Sequence, residues 1–268
     1  QMNVILFAPE DLSLVKGSPS VRRKFIDMEL GQMNRLYLYH LSQFQQILKQ
    51  RNQFLKQARS KKNYDKIYLD VLTEQLATEA AEVLFSRFKF VNQLSDLANE
   101  VQKDISNEKE TLLITYKTSS SIDENMTVEE IFNHLMADYE KSISQEIDQG
   151  TTTIGPHRDD IVFHVNDRNV QTYGSQGQQR TTALSLKLAE IDLMRNMTGE
   201  YPILLLDDVL SELDDSRQTH LLKSIQNKVQ TFITTTSLDG VQMDLLTDPF
   251  IFYVEEGSII KTDEQDDS

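Results

Sequence analysis

The run Ile203-Leu204-Leu205-Leu206-Asp207-Asp208 sets two adjacent carboxylates at the end of four consecutive apolar residues. Such a run reads as a strand buried on both faces. In open parallel sheets, ligands sit at the carboxyl ends of the strands. Two aspartates leaving a buried strand are costly unless a cation or hydrogen-bond donors satisfy them. Mg²⁺ meets that need, because it takes one or two carboxylates together with phosphate oxygens and water. The expectation is a Walker B element, with Asp207 on the metal side and Asp208 beside an attacking water. Taken alone, the run also fits a core strand with a solvated turn. Apolar runs ending in Asp-Asp also belong to phosphatases and phospho-acceptor domains.

A second candidate lies upstream, at Ser175-Gln176-Gly177-Gln178-Gln179. A Ser at a helix N-cap, a Gly two residues on and an amide after it make an anion site. The hydroxyl, the free backbone N–H groups and the helix dipole converge there, and Gly lets a phosphate approach the backbone. The bland alternative is a capped helix with no ligand. The order carries more weight than either run. A phosphate-seeking helix start, one helix, a buried strand ending in Asp-Asp, then Ser211-Glu212-Leu213-Asp214 is the order of signature, Walker B and D-loop in an ABC-type ATPase.

Other charged groups are read more plainly. Lys49, Arg51, Lys56, Arg59, Lys61 and Lys62 follow one another with no acid between them and form the candidate surface for DNA phosphates. Arg22, Arg23 and Lys24 oppose the dipole at a helix start, so they face a carboxylate or a phosphate, or form a solvated basic face. His157 and Arg158 either meet phosphate or DNA, or sit in an internal turn paired with Asp159 or Asp160. The remaining His residues show no metal-ligand spacing, and no Ser-His-Asp or Cys nucleophile can be assembled.

Composition bounds these readings. With 39% hydrophobic and 26% charged residues, the chain is an ordinary globular protein able to bury a core. No run approaches the ~18 apolar residues of a membrane helix, so no membrane role is expected. Cys is absent, which excludes disulfides and thiolate metal sites; with no export signal this fits the cytosol and a cytoplasmic protein. A net charge of −15 argues against a nucleic-acid surface spread over the whole molecule. Most of the excess acid follows residue 150, which directs any DNA contact to the first part.

The elements that position these residues follow from periodicity. Residues 3–8 read as a strand. Ser18-Pro19 opens a helix with Val21, Phe25 and Met28 on its apolar face. A second helix spans about Arg35 to Ala58, with Tyr37, Leu41, Phe44 and Leu48 on one stripe. The next carries a heptad seam from Leu69 through Leu76, Val83, Phe90 and Leu97 to Val101, interrupted only at Arg87. The two helices predict an antiparallel arm projecting from a globular head, in preference to a free-standing coiled coil. Leu112 to Tyr116 reads as a strand. Thr127-Val128-Glu129-Glu130 is a capping box, opening a helix with Ile131, Leu135, Tyr139, Ile143 and Ile147 inward, which Gly150 closes. A β-hairpin follows from Ile161 to Val170, then the signature helix, the Asp-Asp strand, a helix and a strand at Thr231-Phe232-Ile233. A last hairpin turns at Glu255-Glu256-Gly257. The acidic tail from Thr262 is expected to be disordered. The resulting division is 1–12 head, 13–150 helical lobe, 151–261 head again and 262–268 tail.

Together, Leu6-Phe7-Ala8-Pro9-Glu10-Asp11-Leu12, Lys16-Gly17-Ser18-Pro19 with Arg22-Arg23, Gly155-Pro156-His157-Arg158-Asp159-Asp160, Gly174-Ser175-Gln176-Gly177-Gln178-Gln179-Arg180 and Leu205-Leu206-Asp207-Asp208 resemble the bacterial RecF family of DNA replication and repair proteins. The resemblance spans the chain, with the arm matching mainly in pattern. It implies an α/β fold, part of an ABC-type ATPase head with an inserted helical lobe containing the antiparallel helical arm. It implies ATP and Mg²⁺ as cofactors, Asp207 as a metal ligand and Asp208 polarising the attacking water. Ser175, Gly177 and Gln178 would contact the γ-phosphate of ATP held by the other protomer, and Asp214 would lie in the D-loop at the dimer interface. The implied partners are single- and double-stranded DNA at gaps, a second copy in an ATP-dependent homodimer, and the RecO and RecR proteins during recombinase loading in the SOS response. The alternative from another class is a non-enzymatic scaffold whose arm holds a protein partner. Two departures temper the resemblance. No G-x-x-x-x-G-K-[ST] run occurs in the chain; the family carries it upstream of Gln1, so this stretch by itself is expected to hydrolyse little or no ATP. Where many ABC ATPases have a His after the last strand, this chain has Thr234-Thr235-Thr236, which implies slow turnover.

Overall fold

The computed structural model describes residues 3–60, 64–238 and 241–263. The Asp-Asp strand is the centre of a three-stranded parallel sheet. In it β1 (Val4–Phe7) and β6 (Thr231–Thr234) flank β5 (Ile203–Asp207), with Phe7 opposite Leu206 and Leu206 opposite Ile233. Ile5, Phe7, Leu204 and Leu206 point to one face. They pack against Leu184, Leu188 and Ile191 of the signature helix α6 (Gln176–Thr198) and Leu221 and Ile225 of α7 (Asp215–Ile225). The opposite face differs from expectation. Leu205 and Ile203 are only half-buried, and their neighbours Leu6 and Phe232 are 49% and 53% exposed. Four apolar residues in a row predict burial on both faces; among the described residues, helices cover only one.

The helical lobe is built on α3 (Lys66–Ser106), 41 residues long, or about 60 Å at 1.5 Å per residue. It pairs with α2 (Arg35–Ser60) as the antiparallel hairpin that the heptad seam predicts. The seam residues Leu69, Leu72, Leu76, Ala80, Val83, Phe90 and Leu94 are all buried. The hairpin does not stand free. A third helix, α4 (Val128–Gln149), lies along both members, and α6 packs against α3. The α4 start carries the expected capping box, with Thr127 N–H donating to Glu130 at 2.8 Å, and Gly150 ends it in the left-handed conformation at φ +69. On its inner face Ile143 and Ile147 are only half-buried, and the buried position is Glu146.

A second, antiparallel sheet joins β2 (Leu112–Lys117), β3 (Asp160–Val165) and β4 (Arg168–Asn169). The outer edge of β2 is covered by α3: Ile114 N–H donates to Ser95 and Leu112 N–H to Asn99, each at 2.9 Å. This sheet spans residue 150, the expected boundary. The sequence changes character there, but β3 pairs with β2 across the boundary. Ile161, Phe163 and Val170 belong to the same core as α1 (Pro19–Met33), α2 and α3. The head core resumes with α6. The short helix α5 (Val170–Tyr173) links the two. The closing hairpin is β7 (Ile251–Glu255) and β8 (Ser258–Asp263); β8 therefore runs two residues into the predicted tail, whose remainder, 264–268, lies outside the described residues.

The three largest buried side chains are arginines: Arg22, Arg51 and Arg87. Arg22 grips Asp160 with two hydrogen bonds of 2.7 and 2.8 Å, so the basic helix start faces a carboxylate. Val21 and Met28 of α1, expected inside, are 47% and 55% exposed; Phe25, Ile26 and Leu30 form the buried face. Arg87, the apparent fault in the seam, donates to Tyr37, Tyr116, the Pro156 carbonyl and Asp27 over 2.7–3.0 Å.

A further buried cluster joins the 3-10 turn Pro9–Ser13, α1 and α6. Lys187 lies 3.1 Å from Glu190 and 3.8 Å from Asp11, with Glu29 of α1 close by. Burial pushes the Glu29 carboxyl up and the Glu190 carboxyl far up from the ordinary range, against the pull of Lys187.

Two predictions follow from these buried charges. Arg87→Leu removes a donor from Asp27, from both tyrosine hydroxyls and from the Pro156 carbonyl, and is expected to lower unfolding free energy by about 3–5 kcal/mol in denaturant titration; a loss below ~1 kcal/mol would mean that the partners re-pair. Glu190, with its carboxyl raised by burial in the folded chain, keeps a proton that the unfolded chain releases in the ordinary carboxylate range, so its contribution to stability falls as pH rises above that range. The stability of Glu190→Gln relative to the parent should therefore climb from pH 5 to pH 8; a flat difference would place the proton elsewhere.

Candidate functional site

Three elements converge at the carboxyl end of the parallel sheet. β5 ends on Asp207, and the next residue, Asp208, adopts a left-handed backbone at φ +51. Asp is among the few side chains that tolerate this conformation. The turn brings the Asp208 N–H to Thr234 at the end of β6, where it meets both the carbonyl and the hydroxyl oxygen at 3.1 Å. The Thr234 hydroxyl donates in turn to Asp207 Oδ1 at 2.6 Å. Ser211 donates to the Asp208 carbonyl at 2.8 Å and braces the turn from below. Thr234 thus has its proton committed to Asp207 and its lone pair to Asp208. Asp208 Oδ1 is shielded from solvent and has no hydrogen-bond partner, whereas the Asp207 side chain is exposed.

This donor set fits a hard divalent cation that draws its other ligands from phosphate and water. Two adjacent carboxylates are present, one open and one with an orphaned oxygen. Among the described residues, no group of three or more His, Cys, Asp or Glu could hold a metal by itself.

The second constellation is the start of α6. Ser175 caps it reciprocally: its hydroxyl accepts from Gln178 N–H at 3.1 Å, and its own N–H donates to Gln178 Oε1 at 3.0 Å. The Gln178 amide donates to Glu110 at 2.9 Å. Glu110 also accepts from Gln102 of α3 at 2.7 Å, and Gln102 accepts from Ser185 of α6 at 2.9 Å. Asp214 caps α7 and pairs with Arg217, whose guanidinium also donates to the Gly177 carbonyl and the Thr181 hydroxyl, each at 2.9 Å. Arg180 reaches the Glu212 carbonyl at 2.7 Å. These groups border an open groove of about 750 Å³ lined by Ser175, Gly177, Gln178, Thr181, Asp214 and Arg217. Asp207, Asp208 and Thr234 do not line it. The two constellations are therefore separate, joined along the chain through the Ser211–Asp214 turn.

The basic run on α2 is divided. Lys49, Lys56 and Arg59 are exposed. Arg51 is wholly buried: it pairs with Glu146 at 2.7 Å, donates to Thr73 and Thr152, and lies 5.0 Å from the Tyr139 ring centroid. It is removed from the DNA surface, because helical periodicity turns position 51 toward α3 and α4. Lys61 and Lys62 lie outside the described residues. His157 and Arg158 form an internal turn, but around the Thr152 carbonyl at 3.0–3.2 Å; the expected carboxylates are taken by Ser119 and Tyr116 at Asp159 and by Arg22 at Asp160. Burial lowers the His157 pKa to about 4, so the ring is neutral at neutral pH.

Sequence reasoning missed Arg217, Arg180 and Glu110. Arg217 had a local signal, three residues after an N-cap Asp. Glu110 had none, because its partners lie at 102 and 178.

Comparison with known proteins places this arrangement. No protein-family model matches the chain. It is 58% identical over 265 residues to the DNA replication and repair protein RecF of Pediococcus pentosaceus, covering 99% of this chain and 71% of that protein. It is 59% identical over 260 residues to RecF of Enterococcus faecalis, covering 97% and 69%. A solved structure of the recombination mediator protein RecF with ATPrS in the RecFOR pathway superposes with a TM-score of 0.87 at 33% identity, over 97% of this chain and 67% of that one. The mixed α/β architecture is that of a partial ABC-type ATPase head with an inserted helical lobe. The chain belongs to the RecF family of DNA replication and repair proteins.

Proposed function

We propose that the two half-sites belong to one composite ATP site, closed when two copies of the protein meet on DNA. The observation that carries this reading is the Asp208 turn, a left-handed aspartate whose Oδ1 is buried and unpartnered at the end of a central parallel strand. Asp207 is the residue that would hold Mg²⁺, which when bound would neutralise charge on the phosphate oxygens. Asp208 accepts the proton of the attacking water, and Thr234 holds both aspartates in register. Ser175 supplies a hydroxyl and Gly177 a backbone N–H at the helix N-terminus, with Gln178 beside them, to the γ-phosphate of ATP on the other copy. Asp214, tied to that helix by Arg217, sits between the two copies as the D-loop. A solved RecF structure containing ATP, 31% identical over 97% of this chain, supports ATP as the nucleotide. The placement of relatives in the RecFOR pathway supports RecO and RecR as partners.

DNA contact is assigned to the exposed Lys49, Lys56 and Arg59 on α2. No base-reading element accompanies them, so binding follows DNA structure, as at single-strand gaps, more than sequence. Among the described residues no helix is long and apolar enough to cross a membrane.

The half-sites are separable by mutation in the full-length protein. Asp208→Asn is expected to lower ATP hydrolysis ~10²-fold or more while nucleotide binding persists; unchanged turnover would reject Asp208 as the base. Ser175→Arg should leave ATP binding intact and abolish the ATP-dependent dimer in light scattering; a dimer that survives would remove the in-trans role. For DNA, Lys56→Glu with Arg59→Glu should weaken binding and reduce the slope of log affinity against log salt by about 2, given roughly 0.9 per phosphate contact. An unaltered slope would move the DNA surface off α2.

A further inference from the structure

Between α1 and α2 lies an open trough of about 740 Å³. The helices meet closely there: a Cβ at Gly31 would lie 2.8 Å from Leu38 Cδ2. Leu41 and Phe44 form the floor, and Met28 and Leu38 rise along the sides at 55% and 46% exposure. Met28 reads as a core residue by helical spacing, yet it remains in solvent, and neither the ATP half-sites nor the basic run on α2 uses this surface.

The charges at the rim are one-sided. Arg23 and Lys24 line the trough. Arg23 donates to the neutral Asp159 carbonyl at 2.8 Å, and among the described residues neither cation has a carboxylate partner. The acid on the same wall, Asp27, is committed to Arg87 and Tyr37. His157 on the floor is neutral at neutral pH. Two uncompensated cations thus stand beside an apolar trough in a chain of net charge −15.

We propose that this trough docks an amphipathic helix of a protein partner, its apolar stripe against Met28, Leu38 and Phe44 and its flanking acidic residues against Arg23 and Lys24. A trough between two helices accepts a third through anchors at i, i+3, i+4 and i+7. The floor selects against a phosphate backbone, which carries charge at every nucleotide, because Leu41, Phe44 and the neutral His157 ring offer that charge no counterion. The rim selects for acid, because one or two carboxylates match the two free cations.

The test uses the full-length protein and a phage-displayed library of random helical peptides, with selected peptides labelled for fluorescence anisotropy. Enriched peptides are expected to carry Leu, Ile or Phe at i and i+4 flanked by Asp or Glu. Met28→Glu and Lys24→Glu, both at exposed positions, should each weaken them at least ~10-fold, the size expected for a lost anchor. Phe250→Ser, far out on β7's approach at 85% exposure, should leave them unchanged, and circular dichroism should show all three variants folded. The proposal is overturned if no peptide is enriched or if the enriched peptides are basic. It is equally overturned if Met28→Glu and Lys24→Glu bind them as the parent does, or if a single-stranded or duplex oligonucleotide displaces them at equal concentration.

Discussion

Burying the guanidinium of Arg87 is the constraint around which the helical lobe is arranged. A cation removed from water in the middle of a long helix is tolerated only if hydrogen-bond acceptors replace its hydration. Four acceptors do so, each from a different segment: Asp27 of α1, Tyr37 of α2, Tyr116 of β2 and the Pro156 carbonyl. The same polar layer continues outward. Tyr116 donates to Asp159, which also accepts from Ser119, and the neighbouring Asp160 holds Arg22. The run Gly155–Asp160 is therefore a latch that closes the first part of the chain onto the second. Such layers contribute less net free energy than an apolar core of equal volume, but they admit one arrangement of the segments that supply the acceptors.

α6 carries that arrangement into the head. Its residues are buried almost all round, because one side packs on the parallel sheet and the other on α3. The Gln178–Glu110–Gln102–Ser185 series ties its first turns to the end of α3. Arg217 ties the same turns to Asp214. Lys187, near its middle, faces Asp11 of the turn after β1 and carboxylates on α1 and α6. A displacement of α6 would thus be felt together at its Ser175 start, at Asp214 and at the junction with the helical lobe. The chemistry at β5 depends on this rod less directly, through the short Ser211–Asp214 turn that leads into α7.

Much of the fold was legible because it rests on local signals. The heptad seam, the Thr127 capping box, the Ser175 N-cap, the Gly150 stop and the alternation of Ile161, Phe163 and Val165 depend on neighbours within a few residues, and each appears where its spacing predicts. The strand at Ile203–Leu206 was legible as an element, but its burial was not, since burial depends on what covers each face. The α1 core face was misplaced for the same reason: Val21 and Met28 have the spacing of a buried stripe, and the helix is instead rotated by the pull of Arg22 toward Asp160. Arg51 sat in a run of bases that reads as one charged surface, and only the distant Glu146 shows that it turns inward.

The order of the elements, the caps that start and end them, and the residue types at the two candidate sites, Asp207 and Asp208 at one and Ser175, Gly177 and Gln178 at the other, could be read from the chain alone. These are properties of short stretches, governed by backbone geometry and by hydrogen bonds between residues three or four apart. Packing settled which charges are buried, that Thr234 holds both aspartates, that Arg217 joins the first turn of α6 to Asp214, and that β3 pairs with β2 across residue 150. Each of these pairs residues from different elements, most of them far apart in the chain. Such pairs form only once the apolar faces have packed and left those polar groups no water to turn to.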